Sequence, residues 1–212
     1  TNNSPQSVGK VKPRDASSLV IYEKRGSDIF VLMGKRAKAH RFLPNVFVFP
    51  GGRVDREDGG LIPHAPLPDR TSSYLSAPGN QAQAIACAAV RETHEETGLT
   101  IGPLVNGELR PDLSRLQYLA RAITPTRSPI RFNTRFLMVD ANHASGELGG
   151  SGELLHLQWF EIRDALAMQL VDVTEFVLHE LRKRLTTPAY KDHLIPIFTY
   201  RNGKPFIRWV PH

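Results

Sequence analysis

Residues 88–99 read AAVRETHEETGL and residues 49–55 read FPGGRVD. The first stretch decides what kind of chain this is. Around it, at about 100° per residue, Ala82, Ile85, Ala86, Ala89, Val90 and Thr93 form one mostly apolar stripe, and Gly98 suits the position just past a helix end. The spacing predicts a helix over Gln81–Thr97 buried along one side. On that helix Glu92 and Glu96 stand about 40° apart, with Glu95 about 60° to the other side of Glu92, so the three carboxylates share an arc of roughly 100°. Carboxylates crowded this closely repel and call for a compensating cation. One reading is a solvated helix face on which Arg91 pairs with Glu95. The other is a bound divalent metal, and oxygen-only donors favour Mg2+ or Mn2+ over Zn2+. The acidic arc borders the apolar stripe and follows a strand that ends in Pro50, Gly51 and Gly52, whose bare backbone can come close beside it. That context favours the metal.

Working outward, ASSLVIYEK and SDIFVLMGKR flank Arg25, Gly26 and Ser27 in a hairpin pattern, and NVFVFP reads as a third strand. From Gly59 to Gln83 the chain carries Pro63, Pro66, Pro68 and Pro78, a stretch expected to run over the surface without regular structure. Further on, YLARAITP, IRFNTRFLMVD and LLHLQWFEI read as strands, ANHASGELGGSGE as a flexible loop, and DALAMQL and TEFVLHELRKRL as helices. Alternation along IRFNTRF puts Arg131, Asn133 and Arg135 on one face and Phe132, Thr134 and Phe136 on the other. The polar face suits either a ligand groove or solvent. Asn202 and Gly203 between apolar runs signal a closing hairpin, whose Trp209 covers the core or joins a homodimer interface.

A chain of 212 residues with 41% hydrophobic content fits one domain spanning 1–212, with the first fourteen residues as a mobile arm. The start lacks Met, as in a trimmed sequence, and lacks the apolar block of a secretory signal; no run is long enough to span a membrane. A cytoplasmic protein is expected, in keeping with a single cysteine, Cys87, expected to pack inside a helix. The net charge of +6 attracts anionic partners, among which nucleic acid, acidic membrane surfaces and phosphorylated metabolites all qualify, and the dispersed basic residues argue against nucleic acid as the main one. His40, His94, His143, His156 and His193 show no metal-ligand spacing.

FPGGRVD followed by AAVRETHEETGL resembles the nudix hydrolases. Their signature runs Gly, five residues, Glu, seven residues, then Arg-Glu-apolar-x-Glu-Glu-x-Gly-apolar. Arg91, Glu92, Glu95, Glu96, Gly98 and Leu99 hold their places, and Thr93 replaces the usual apolar residue. Gly52 and Arg91 enclose thirty-eight residues where the signature has thirteen; the surplus of twenty-five equals the stretch 59–83, so an insertion there leaves Asp58 at the position of the first signature Glu. Asp is shorter, which puts its support of Arg91 in question.

The resemblance implies an α/β/α sandwich with a mixed sheet, the Pro-rich loop inserted within the signature, and hydrolysis of a diphosphate joined to another group. It implies Glu95, Glu96 and the Gly52 carbonyl as metal ligands, Glu92 as ligand or base, and Arg91 as the residue orienting the acids. Glu153 is a second candidate base. Residues 17–163 further resemble the subfamily of the peroxisomal coenzyme A diphosphatase, through Arg36, Phe42, Pro44 and the segment around Thr124 and Pro125. That likeness implies a coenzyme A substrate, for whose phosphates Arg36, Arg53, Arg127, Arg131 and Arg135 are candidate donors. ADP-ribose, NADH and related nucleotides are the alternative substrates, and a non-catalytic nucleotide sensor is the alternative class. The 59–83 stretch is expected to act as a lid or acyl-chain contact, or as an inert loop.

Overall fold

The computed structural model describes residues 11–38, 43–75, 81–188, 190 and 193–211. Residues 1–10 of the expected arm, His40, Phe42 and the Pro78 end of the Pro-rich stretch lie outside them. The long strands are β1 (Arg14–Arg25), β2 (Asp28–Arg36), β7 (Gln117–Ile123), β8 (Phe132–Asp140), β9 (Leu154–Glu161), β10 (Leu194–Arg201) and β11 (Lys204–Pro211). Shorter ones are β3 (Phe47–Val48), β4 (Gly51–Arg53) and the separate pair β5 (Leu104–Val105) and β6 (Glu108–Leu109). Four helices complete the described chain: α1 (Asp69–Leu75), α2 (Gln81–Thr97), α3 (Ile162–Ala167) and α4 (Asp172–Thr186).

The main sheet runs β11-β10-β7-β8-β1-β2-β3, with β4 paired to β1 and β9 to β2. It is mixed: β1 lies parallel to β8 and antiparallel to β2 and β4, and β7 lies parallel to β10. From Ala16 to Tyr22 every residue of β1 is buried, the pattern of a central strand covered on both faces. Leu19 and Ile21 point into one core with Ile85 and Val90 of α2, while Val20 and Tyr22 point into the other with Phe176, Val177 and Leu181 of α4. These two cores are the α/β/α sandwich.

Helix α2 begins and ends where its periodicity predicts, and Gly98 follows at φ +76°. It is not buried along one side only: Ala84, Cys87 and Ala88 are covered as well as the expected stripe. The cover is the chain that precedes it. A short 3-10 turn, Glu57–Gly60, packs on its outer side, and Gln83 Nε2 donates to the Leu61 carbonyl at 3.1 Å. Thr93, the departure from the apolar signature position, is fully buried, and its hydroxyl donates to the Ala89 carbonyl at 2.8 Å. The polar atom therefore carries no unmet desolvation cost.

The 59–83 stretch is more ordered than its prolines predict. It contains α1, and Leu75 and Thr71 of that helix are buried. The Leu113 N–H donates to the Ala65 carbonyl at 3.0 Å, the Thr71 hydroxyl to the Leu116 carbonyl at 2.8 Å, and Tyr74 stacks on Tyr118 at 5.7 Å between ring centroids. Proline excludes long helices but leaves room for a seven-residue one once tertiary partners hold it. The chain start is also tied: the Arg131 guanidinium donates to the Val11 carbonyl at 2.6 Å, and β1 begins at Arg14, so the expected mobile arm does not reach residues 11–14. NVFVFP splits into β3 and the approach to β4 rather than forming one strand. The C-terminal hairpin turns through Asn202 and Gly203, both at positive φ, and Trp209 meets Tyr190 edge-on at 6.0 Å. No helix among the described residues is long and apolar enough to cross a membrane.

Replacing Thr71 by Val keeps the shape and removes one buried hydrogen bond, leaving the Leu116 carbonyl unpaired. A loss of about 1 kcal/mol in urea unfolding is expected; no loss would show that the stretch is not anchored there.

Candidate active site

Strand β4 brings the Pro-Gly-Gly turn against the last turns of α2. The turn is pinned to β1, where the Ser18 hydroxyl and the Leu19 N–H both donate to the Pro50 carbonyl, at 2.7 and 3.0 Å. From there the Gly51 N–H donates to Glu96 Oε2 at 2.8 Å. A Cβ on Gly52 would lie 2.4 Å from the Glu92 carboxyl carbon, so the carboxylate rests on bare backbone and no side chain fits between them.

Arg91 organises the acids. Its Nε donates to Asp58 Oδ1 at 2.8 Å and its Nη2 to Asp58 Oδ2 at 3.1 Å, a two-pronged pair with a fully buried carboxylate. Its Nη1 donates to Glu92 at 3.0 Å and Glu95 at 3.1 Å, and its Nη2 reaches the Arg53 carbonyl at 3.2 Å. The shorter Asp58 does reach Arg91, because the 3-10 turn brings its backbone in close and the Asp55 N–H holds Oδ2 at 2.7 Å.

The loop between β8 and β9 is not the free segment that its glycines predict. The Gly149 N–H donates to the Thr97 carbonyl at 2.8 Å and the Ser151 N–H to the Glu95 carbonyl at 3.2 Å. A Cβ on Gly150, at φ +141°, would strike the Glu96 carbonyl at 2.2 Å, so the loop backbone lies directly on the end of α2. That docking carries Glu153 to the site, where its own carbonyl accepts from the Ala37 N–H at 3.0 Å.

Glu92, Glu96, Glu153, Gly52, Arg36 and Arg53 line one cleft of about 600 Å³. Burial pushes the Glu96 carboxyl up to about 7, and neighbouring Glu92 and Glu153 add to this against the Gly51 hydrogen bond and Arg36. Glu92 is also raised, by burial above all, against the pull of Arg91. Arg36 is lowered by burial and supported by Glu96, Glu153 and Glu92. Glu92, Glu96 and Glu153 thus share the cleft with Arg36 and Arg53. Glu95 stands apart, half exposed on Arg91 and not among the residues that line the cleft.

The remaining expected phosphate donors are placed elsewhere. Arg131 and Arg135 lie on the α2 side of the sheet. Arg135 pairs with Asp15, Asn133 Nδ2 donates to Asp15 at 2.9 Å, and Arg131 donates to the Thr124 and Val11 carbonyls. The strand alternation holds, but Phe132, Thr134 and Phe136 face the cleft and the arginines are absorbed in a buried network. Arg127 is exposed beside Ser128 and does not line the cleft. Sequence reasoning missed Asp15 as the acid that holds Arg135, and missed Val173, Phe198 and Tyr200 as cleft residues.

Two outcomes follow from this geometry. Asp58→Ala leaves Arg91 without its buried partner and is expected to cost about 2 kcal/mol in denaturant unfolding. Glu96 has an ordinary value of 4.5 and a folded value of about 7. The folded chain keeps a proton that the unfolded chain releases in this window, so the stability contributed by Glu96 falls as pH rises through it. In metal-free buffer Glu96→Gln should gain on the wild type between those pH values by up to roughly 3 kcal/mol. Parallel stability curves for the two chains would refute the buried, raised carboxyl.

Comparison with known proteins leads to one family. Residues 12–180 match the NUDIX domain, and β10 and β11 lie beyond the match. The crystal structure of a NUDIX hydrolase from Alicyclobacillus acidocaldarius superposes with a TM-score of 0.62 at 30% identity, covering 79% of this chain and 90% of that one. The NUDIX domain of Shewanella oneidensis NrtR, solved in complex with ADP ribose, superposes at 0.54 with 14% identity over 87% of this chain and 95% of that one, a likeness of fold alone. The provisionally named nudix hydrolase 7 of Caenorhabditis elegans is 27% identical over 187 residues, 75% of this chain, and the chain spans 56% of that relative's length. By the extent of the matched span and the likeness to the Alicyclobacillus enzyme, the chain belongs to the NUDIX domain family.

Proposed function

We propose that the protein is a metal-dependent hydrolase of diphosphate linkages, acting on coenzyme A or acyl-coenzyme A to give 3′,5′-ADP and (acyl) phosphopantetheine. The observation that carries the hydrolase reading is the joint placement of Glu92, Glu96, Glu153, Arg36 and the Gly52 backbone on one cleft. The coenzyme A assignment rests on the likeness of residues 17–163 to the coenzyme A diphosphatase subfamily.

The residues suit a hard divalent ion. Such ions take oxygen donors, keep several waters and are held by one or two carboxylates completed by substrate phosphates. Among the described residues no group of three or more His, Cys, Asp or Glu side chains is placed to hold a metal ion, and the donors offered are two cleft carboxylates and a backbone carbonyl. The buried Glu96 carboxyl beside Glu92, and a Gly52 backbone with no side chain in the way, support that reading, since a small cation there would offset the crowded carboxylates. Glu92, Glu96 and the Gly52 carbonyl would hold Mg2+ or Mn2+, with Glu95 at the rim. The ion supplies neutralisation of the phosphate charge and acidifies the attacking water.

The chain's own residues do the rest. Arg36 and Arg53 neutralise the non-bridging phosphate oxygens. Glu92 or Glu153 accepts the proton as water oxygen bonds to one phosphorus and the bridging P–O bond breaks, leaving its electrons on the departing phosphate. Asp58 and Arg91 fix the direction of the acids and touch no reacting atom.

The test is incubation with Mg2+ or Mn2+ and coenzyme A, acyl-coenzyme A, ADP-ribose, NADH and nucleoside triphosphates, with products identified by mass. Release of 3′,5′-ADP from coenzyme A supports the assignment, and faster turnover of ADP-ribose or NADH moves the substrate. Binding without turnover in either metal makes the protein a sensor. Glu96→Gln should abolish turnover while circular dichroism stays unchanged; full activity would remove Glu96 from the metal.

A further inference from the structure

The cleft extends well beyond its acidic end. Across the sheet it runs from Gly52 on β4 over β1, β8 and β7 to Phe198 on β10, four strand spacings or roughly 19 Å. Its far walls are Phe132 of β8, Val171 and Val173 at the start of α4, and Phe198 and Tyr200 of β10. The last two stand on the C-terminal hairpin, outside the family-matched span. The hairpin is fastened where it meets the cleft. The Tyr200 hydroxyl donates to Asp172 Oδ2 in the first turn of α4 at 2.9 Å, and the Phe198 ring meets Tyr200 at 5.4 Å and Phe176 at 5.2 Å.

Charge is segregated along this length. The basic side chains lining the cleft are Arg36 and Arg53, at the end that holds the carboxylates. The far end offers mainly aromatic rings and aliphatic side chains, with the hydroxyl of Thr174 and that of Tyr200, the latter given to Asp172. A phosphate placed there would be desolvated without a cation, whereas an apolar group would gain by burial.

We infer that the far end of the cleft binds the uncharged, apolar part of the diphosphate substrate, and that the C-terminal hairpin, through Phe198 and Tyr200, makes the chain selective for it. The inference rests on the hydrolase reading of the acidic end. For a coenzyme A-like molecule it directs the acyl-pantetheine chain inward and the phosphorylated ribose outward. An apolar chain and a nucleobase share the required chemistry, and the experiment separates them.

The P2-methyl and P2-hexyl esters of ADP form one arm; the P2-methyl esters of ADP and of ribose 5-diphosphate form the other. Both are assayed with Mg2+, and a P2-hexyl ester ending in a phosphate is the charged control. At least about a tenfold gain in kcat/KM is expected in one arm, hexyl over methyl for a chain or adenosyl over ribosyl for a base. The charged control should lose the gain. In Val173→Phe, which fills the far end, and Tyr200→Ala, which opens it, the ratio should fall toward one. A variant that merely misfolds lowers both substrates and leaves the ratio at its wild-type value. Methylene-bridged analogues of the same esters, titrated by calorimetry, keep the two readings apart. If nothing is hydrolysed yet the hexyl or adenosyl analogue still binds more tightly, the hydrolase reading fails and this one stands. Ratios near one in both arms overturn it, as does an unchanged ratio in either variant when its circular dichroism matches the wild type.

Discussion

Everything in the acidic site depends on how closely a strand end can approach a helix. Gly51 gives its N–H to Glu96, and Gly52 offers Glu92 a surface without a side chain. Together, with the Pro50 carbonyl held twice from β1, they lock β4 and α2 into one unit. Any substituent at Gly52 would displace the Glu92 carboxylate.

The crowding of acids is relieved from two directions. On the outer side Arg91 spreads its five N–H groups over Asp58, Glu92, Glu95 and the Arg53 carbonyl. On the inner side Arg36 faces Glu96, Glu153 and Glu92 at the cost of its own burial. Arg91 is satisfied structurally and has little left for a ligand. Arg36 lines the cleft. The two arginines that looked equivalent in a list of phosphate donors, Arg131 and Arg135, belong to neither group, because Asp15 and backbone carbonyls claim them first.

Local periodicity made α2 legible to the residue, and the Asn202-Gly203 turn made the last hairpin legible, because both signals reside in neighbouring residues. The acidic cluster was readable for the same reason. The face of β8 was read correctly as an alternation, but which side held the cleft was not, since that depends on the helix packed against it. The helix within the Pro-rich stretch was missed because its stability comes from Leu116 and Tyr118, more than forty residues away. In the sequence Phe198 and Tyr200 are simply part of the apolar run before the Asn202-Gly203 turn. Nothing nearby in the chain marks them as cleft walls, and only the sheet order brings them there.

The route of the chain between Asp58 and α2 has a bearing on how this protein could change over time. The excursion departs after the last residue that touches Arg91 and returns at Gln81, ten residues up the helix from Arg91 or about 15 Å away at 1.5 Å per residue. Its described part contributes no residue to the cleft walls. A helix thus separates the point where the excursion rejoins from the acidic end of the cleft. Change in this part of the chain can therefore loosen the contacts that Thr71 and Tyr74 make with Leu116 and Tyr118 while the acids stay in register, much as a handle can be refitted without regrinding the blade.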